Sequence, residues 1–183
     1  MSYKSITISG KIAVGTSTLA RNLQQILGWR YVNAGDIQRR YDREHNIQEN
    51  ERGALVRPDD HEQEIDAMTK QMLQSEINII YEAWLAGFMT QGIEGVLKVL
   101  VICSNDAVRI DRVVNRDNMT IDEAKRFLKQ REEENTVKWK KLYGDHDFWD
   151  PHYYDLAIDT YGSGPMETVG KVLDKLGYRG NMS

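Results

Sequence analysis

The sequence predicts an α/β fold, in which a parallel sheet of about five strands is flanked by helices. Short apolar runs alternate along the chain with longer segments whose apolar residues recur at helical spacing, and this alternation is typical of parallel sheets. The run at residues 96–103 is almost continuously apolar, as expected of a strand covered on both faces. The length of 183 residues suits one domain, which we expect to span residues 1–183.

The first half of the chain contains three predicted strands and three predicted helices. We expect strands in the short apolar-rich runs at residues 5–9, 30–33 and 77–81. We expect helices at residues 16–27, about 36–46 and about 61–74. Gly28 is a typical residue just past a helix end. Polar residues with Gly53 and Pro58 indicate a connecting or mobile segment at residues 46–60.

The second half continues the same alternation. Strands are expected at residues 96–103 and 154–159, and helices at residues 106–116, 121–143 and 164–176. Thr120 and Glu123 have the spacing of a capping box, in which each side chain bonds the backbone of the other residue. They therefore mark the beginning of the long charged helix.

The composition excludes several classes of protein. A formal net charge of −4 argues against a protein that coats nucleic acid, although local basic clusters can bind a phosphorylated small molecule. The single cysteine, Cys103, excludes a disulfide framework within the chain. We expect no secretory leader, because the first residues lack a basic region followed by an apolar stretch, and no run approaches 18 apolar residues. We expect a cytoplasmic protein that does not associate with membranes.

The turn after the first strand has the spacing of a phosphate-binding loop. Two glycines and a terminal hydroxyl stand between a strand and a helix, where backbone N–H groups and the helix N-terminus can hold an anion. Ser17 occupies the position whose hydroxyl normally joins the Mg²⁺ shell. The candidate residues for ATP and phosphate binding are Gly10, Lys11, Ile12, Ala13, Val14, Gly15, Thr16, Ser17 and Thr18.

The lysine of a phosphate loop is missing from its usual place, where Thr16 stands instead. Because that lysine supplies positive charge to the terminal phosphates, either the loop performs no transfer chemistry or another cation replaces it. Lys11 is the nearest candidate for a catalytic cation. A solvated side chain at the loop tip is an equally good interpretation of Lys11.

Beyond this turn the chain resembles the cytidylate kinases, particularly the archaeal type, from about Lys4 to Gly177. The segment ITISGKIAVGTSTLA is similar to the ITISGPPGSGTTTVA of that family, in which threonine also takes the lysine position. The interior of the loop differs, since Lys11, Ile12, Ala13 and Val14 replace two prolines, a glycine and a serine. The resemblance implies a P-loop fold with a helical lid.

Two further matches concern the acceptor of the phosphoryl group. The segment NAGDIQR, which contains Asp36 and Arg39, is similar to the family's SAGEIFR, and this implies that Arg39 holds the acceptor phosphate. The segment YEAWLAG is similar to LEGRLAG, and Glu82 is retained to order Mg²⁺-bound water or to meet the acceptor. Trp84 replaces an arginine. It either stacks on a base or, as we favour, packs against neighbouring side chains.

The longest match covers residues 109–144, which form a helical lid over ATP in the cytidylate kinases. It implies that Arg116 and Arg131, with Arg112 behind them, are the catalytic cations that stabilise the transferring phosphoryl group. The other charges of this segment are interpreted as a solvated helix face, namely those of Glu132, Glu133, Lys140 and Lys141.

The resemblance implies an enzyme that phosphorylates a nucleoside monophosphate, CMP or dCMP, with ATP and Mg²⁺. Its partners would be small-molecule nucleotides, without nucleic acid or membrane, and the protein would be a monomer or homodimer. Two alternatives remain open at this point. One is a kinase of the same fold that acts on a different nucleotide or a small metabolite. The other is a catalytically inactive nucleotide-binding or interaction module.

Overall fold

The computed structural model describes residues 3–47 and 54–180, and it confirms the predicted α/β architecture. Within the described residues, five parallel strands form one sheet in the order β2-β3-β1-β4-β5. The strands are β1 (Ser5–Ser9), β2 (Arg30–Asn33), β3 (Ile79–Glu82), β4 (Val96–Ile102) and β5 (Leu156–Asp159).

Helices connect these strands. They are α1 (Thr16–Leu27), α2 (Ala34–Glu44), α3 (Asp59–Ser75), α4 (Ala86–Met89), α5 (Asp106–Asp117), α6 (Ile121–Tyr143) and α7 (Pro165–Leu176). Short 3₁₀ turns lie at Ala54–Val56 and Pro151–Tyr153. The predicted helices agree with the structure to within about two residues at each end, the usual uncertainty of helix boundaries. The sequence pattern missed α4, because a helix of four residues is too short to show a period.

Helices cover the central strands on both faces. On one face, α1 contributes Leu19 and Leu23 and α7 contributes Val169 and Val172 to the core around β1 and β4. On the other face, Met72 and Leu73 of α3 pack against β3 and the beginning of β4. The continuous apolar character of β4 follows from this burial on both faces.

The polar segment before α3 is more structured than its composition indicates. Residues 48–53 of this predicted connecting or mobile segment lie outside the described residues. Further along, α3 begins at Asp59, directly after Pro58, and the side chain of Arg57 is buried. Its guanidinium makes two hydrogen bonds, of 2.8 and 2.6 Å, to the buried carboxylate of Asp42 on α2. Arg57 is therefore held by an ion pair with a residue of another helix, which local sequence patterns do not reveal.

The carboxyl ends of the strands form the edge of the sheet at which ligands bind in open α/β proteins. Gly10 follows β1 there, and Asn33 and Glu82 are the last residues of β2 and β3. The strand register pairs Asn33 with Glu82, and Ile8 of β1 with Glu82. Among the described helices, none combines the length and the apolar character that crossing a bilayer requires.

Candidate active site

A cleft of about 1280 Å³ opens at the carboxyl ends of the strands. Its lining includes nearly all of the candidate residues, which are Gly10, Lys11, Ile12, Ala13, Gly15, Thr16, Ser17, Thr18, Asp36, Arg39, Glu82, Trp84, Arg112, Arg116 and Arg131. The exception is Val14, whose side chain is 3% exposed and belongs to the core. Of Val14, only the backbone is in a position to contribute to phosphate binding.

The phosphate loop is held by hydrogen bonds to its carbonyl oxygens. The Arg109 guanidinium donates two bonds of 3.1 Å to the Ile12 carbonyl, and Arg112 donates one of 3.0 Å to the Ala13 carbonyl. The Thr160 hydroxyl donates one of 2.7 Å to the Val14 carbonyl. Because C=O and N–H point in opposite directions across a trans peptide, the next three amides point away from these anchors. The arrangement presents a row of N–H groups, as anion binding requires.

Backbone conformation explains which loop residues must be small. A Cβ on Gly10 would lie 2.6 Å from the Val101 carbonyl oxygen, and Gly15 has a φ of 104°. Ala13, which replaces a glycine of the similar sequences, has a φ of 61°. The left-handed conformation is thus retained without glycine, at a cost of about 1–2 kcal/mol. Ala13 therefore adopts a backbone conformation that glycine would adopt without this cost.

Lys11 does not lie free at the loop tip. Its Nζ is 3.7 Å from Glu132 Oε2 on α6 and 4.7 Å from the centre of the Trp149 ring. Glu132 also accepts a hydrogen bond from Arg109. The interpretation of Glu132 as a solvated charge is therefore wrong, because this carboxylate joins the loop to α6. The expected helix-surface pairing holds for Glu133, which pairs with Lys129.

Glu82 connects the two ends of the cleft. It is 7% exposed and accepts hydrogen bonds from the Ser17 hydroxyl at 2.7 Å, from Asn33 Nδ2 at 2.8 Å and from the Tyr31 hydroxyl. Burial and this bond to Glu82 raise the pKa of Tyr31, which is therefore a neutral donor. The Asn33 amide serves the site and makes no cap for α2.

The donors at this point fit a magnesium ion. Mg²⁺ prefers hard oxygen ligands, and it is commonly held by one or two carboxylates together with substrate phosphates and water. The Ser17 hydroxyl and the Glu82 carboxylate provide such oxygens beside the phosphate loop. Within residues 3–47 and 54–180, no cluster of three or more His, Cys, Asp or Glu side chains could hold a metal by itself. Ser17 and Glu82 therefore fit a magnesium site in which substrate phosphates and water supply the remaining ligands.

Arginines surround the cleft from three elements. Arg39 on α2 pairs with Asp36, and Arg116 on α5 makes two bonds, of 2.8 and 2.6 Å, to Asp117. Arg131 on α6 is largely buried, and its desolvation, with a smaller effect of nearby Arg57, lowers the pKa of its guanidinium. Positive charge therefore converges on the cleft, as phosphate binding requires.

Comparison with known proteins agrees with this geometry. The profile of the cytidylate kinase-like family matches residues 5–162. The cytidylate kinase of Methanothrix thermoacetophila is 38% identical over 158 residues, which are 85% of this chain and 87% of that protein. The chain belongs to the cytidylate kinase-like family. The cytidylate kinase of Methanosarcina mazei is 34% identical over 157 residues, 85% of this chain and 86% of that protein.

A solved structure supports the fold. The crystal structure of a gluconokinase from Sinorhizobium meliloti superimposes with a TM-score of 0.60 at 16% identity, covering 95% of this chain and 91% of that one. At this low identity the likeness concerns the fold alone.

Trp84 is the clearest departure from the cytidylate kinase-like pattern. Its ring packs edge-on against Trp139, with centroids 5.4 Å apart, and lies 6.3 Å from Trp149. Packing, the favoured interpretation, is therefore what the structure shows. Trp84 also lines the cleft beside Arg39 and Arg131. The positive charge of the missing arginine is thus not replaced at this position.

Sequence reasoning missed several side chains of this cytidylate kinase-like site. Tyr31 and Asn33 bond Glu82, Arg109 and Glu132 hold the loop, and Arg21 of α1 lines the cleft. Asn33 could have been found from the strand register, because Asn33 is the last residue of β2 and pairs with Glu82, the last residue of β3. Arg109 and Glu132 lie 23 residues apart, and their meeting depends on how α5 packs against α6.

Proposed function

We propose that the protein transfers the γ-phosphoryl group of ATP to CMP or dCMP. The hydrogen bond between Ser17 and Glu82 carries this proposal, because it joins the phosphate loop to the end of the cleft that holds Arg39. A phosphoryl donor and a phosphorylated acceptor would meet at this point. The relatives named cytidylate kinase support CMP as the acceptor.

The donor half of the cleft would bind ATP mainly through the backbone. The amides of the loop and the N-terminus of α1 would hold the phosphates, and Arg109, Arg112 and Thr160 keep those amides in place. Ser17 and Glu82 would hold Mg²⁺, which when bound neutralises charge on the phosphate oxygens. Lys11 belongs to the loop itself, and its pairing with Glu132 would keep its positive charge beside the bound phosphates.

The acceptor half would position the attacking phosphate of the acceptor through ion pairs with arginine. Arg39 would hold the acceptor phosphate, one oxygen of which attacks the γ-phosphorus while the bond to the bridging oxygen breaks and ADP leaves. Arg116 and Arg131, on the helices α5 and α6, would close from the lid and stabilise charge on the transferring group. Positioning and electrostatic stabilisation would thus provide the catalysis, without a general base.

Measuring ADP release with CMP, dCMP, UMP and AMP as acceptors tests the proposed function. We expect saturation by CMP or dCMP at low concentration, little response to AMP, and loss of activity when EDTA removes Mg²⁺. Product analysis distinguishes phosphoryl transfer from simple ATP hydrolysis. Transfer to none of the four nucleotides would contradict the proposal and favour a small-metabolite kinase or an inactive binding module.

A further inference from the structure

A second, smaller cavity lies behind Trp84. Its volume is about 110 Å³, and it shares Arg39, Trp84 and Arg131 with the main cleft, so that the two spaces adjoin. Helix α3 contributes Glu62, Asp66 and Thr69 to its wall, and the aromatic side chains of Tyr81, Trp139 and Tyr143 complete it. A nucleotide whose phosphate binds Arg39 would have this cavity within reach of its base.

The size of the cavity favours a single ring. An apolar cavity of about 150 Å³ in another protein binds benzene. A space of about 110 Å³ that is continuous with a larger cleft can hold a pyrimidine, whereas a two-ring purine would not fit within it. The walls provide aromatic faces and edges, which suit a planar heterocycle.

The α3 side chains contribute mainly hydrogen-bond acceptors to the cavity, whereas Arg39, Arg57 and Arg131 contribute donors from other elements. Glu62 is engaged with Gln38 Nε2 at 3.3 Å and with Arg57 at 3.8 Å. Asp66 accepts one hydrogen bond from the Tyr143 hydroxyl through Oδ2, and no partner of Oδ1 is found among the described residues. Thr69 and Tyr81 bond each other at 2.7 Å. A ligand that brings a donor therefore meets the carboxylate of Asp66.

We propose that Asp66 determines the choice of acceptor base, with its carboxylate accepting a hydrogen bond from the exocyclic amino group of a cytosine in this cavity. The inference rests on the proposed function, which it extends to the base. Uracil presents a carbonyl oxygen at the same position, and two acceptors then face each other. A buried group left without its partner rejects a substrate strongly, because neither acceptor recovers its bond to water.

The charge of Asp66 agrees with this role. Burial raises the pKa of Asp66 to about 6, although the bond from Tyr143 lowers it in part. At pH 8 the side chain is therefore ionised and can only accept hydrogen bonds. Exchange of the carboxylate for an amide of the same shape would give the site a donor for the uracil oxygen.

The test compares kcat/KM at pH 8 for CMP, for UMP and for the monophosphate of 2-pyrimidinone riboside, which lacks the amino group. We expect the wild-type protein to prefer CMP to both other acceptors by about a hundredfold or more. In Asp66→Asn, the ratio of CMP to UMP should fall by about tenfold or more, with the KM of ATP unchanged. Asp66→Ser, measured alongside, should lower the ratio of CMP to the 2-pyrimidinone nucleotide.

Glu64→Gln is the matched control, since Glu64 is exposed on the same helix and loses the same charge. Its acceptor ratios should equal those of the wild type. Thermal unfolding shows whether each Asp66 variant is folded, and either folded variant decides the outcome. Wild-type ratios in a folded Asp66 variant, or a wild-type protein that does not distinguish CMP from the 2-pyrimidinone nucleotide, would overturn the inference. A wild-type protein inactive with every nucleotide would instead refute the proposed function.

Discussion

The two halves of the cleft are built in different ways. The donor half relies on backbone groups, since the loop is positioned by bonds to its own carbonyl oxygens. The acceptor half relies on buried side-chain charge, above all the pair between Asp42 and Arg57 and the carboxyl groups of α3. A substitution leaves the backbone N–H and C=O groups in place, whereas it can remove the charge of a side chain.

The loop and the acceptor half differ in how well they tolerate substitutions. The loop keeps a left-handed residue at Ala13 although the glycine is gone, because carbonyl anchors on both sides hold the path. A charge removed from the acceptor half leaves its partner buried and unpaired. We therefore expect substitutions in the acceptor half to have larger effects than substitutions of comparable size in the loop.

The largest expected effect is on the buried ion pair. Asp42→Ala removes the carboxylate that accepts both hydrogen bonds from buried Arg57 and, among the described residues, leaves only the 3.8 Å contact with Glu62, so we expect the free energy of unfolding to fall by about 3–5 kcal/mol. Urea denaturation measures this change. Glu44→Ala, at an exposed position of the same helix, should change it by no more than about 0.5 kcal/mol. A small loss in Asp42→Ala would contradict the importance of buried charge in the acceptor half.

Removing the lid arginine tests the catalytic side of the comparison. In the proposed mechanism Arg131 stabilises charge on the transferring phosphoryl group, so Arg131→Ala should lower kcat by about tenfold to a thousandfold. Steady-state kinetics with ATP and CMP measure the loss, and thermal unfolding checks that the variant is folded. Lys129→Ala, an exposed position on α6, should retain wild-type kcat. Unchanged turnover in Arg131→Ala would remove this arginine from the mechanism.

The pH dependence of stability tests the carboxyl groups of α3. Burial raises the pKa of Glu62 from 4.5 to about 7, and the Arg57 guanidinium offsets this only in part. Between these two pH values the folded state binds more protons than the unfolded state, so stability falls as pH rises. Glu62→Gln removes this penalty and should exceed the wild type in free energy of unfolding at pH 8, by about 3 kcal/mol at most.

Denaturant titration at pH 4.5 and at pH 8 provides the measurement for Glu62→Gln. The difference between the variant and the wild type should be small at pH 4.5, where Glu62 is almost fully protonated in the folded state and about half protonated in the unfolded state, and should grow toward pH 8. A difference that is equal at the two pH values would show that Glu62 does not titrate in this range.

The smallest expected effect is in the loop. Ala13→Gly relieves a left-handed conformation that costs about 1–2 kcal/mol, but glycine loses about 0.5–1 kcal/mol more in conformational entropy. We expect a net gain of about 1 kcal/mol or less in the free energy of unfolding, with kcat retained. Ala107→Gly, in the first turn of α5, is the control and should lose about 0.5–1 kcal/mol. A loss of stability in Ala13→Gly would contradict the strain at this position.

Much of the donor half could be predicted from local sequence. Gly10, Gly15 and Ser17 lie between a strand and a helix, and their conformational and chemical roles depend on residues close by in the chain. The same holds for the capping box of Thr120 and Glu123, which the structure confirms with both of its bonds. Such features are predictable because their partners are only a few residues apart.

The acceptor half was predicted less completely, since its partners are far apart in the chain. Arg57 appeared as part of a polar connecting segment, yet it is buried against Asp42 on another helix. Glu132 was interpreted as a solvated charge, yet it joins Arg109 and Lys11. Burial turns an ordinary surface residue into a group with a shifted pKa or a fixed partner, and burial depends on the packing of whole helices.

The order of strands and helices along the chain, the position of the phosphate loop and the resemblance to the cytidylate kinases could all be predicted from the amino-acid sequence. Periodicity, turn residues and motif spacing encode these features locally. The contacts of Glu82 with Ser17, Tyr31 and Asn33, and the position of Asp66 in a cavity behind Trp84, could not be predicted in this way. Those contacts join residues from separate elements, and they exist only once the helices have packed onto the sheet and excluded water.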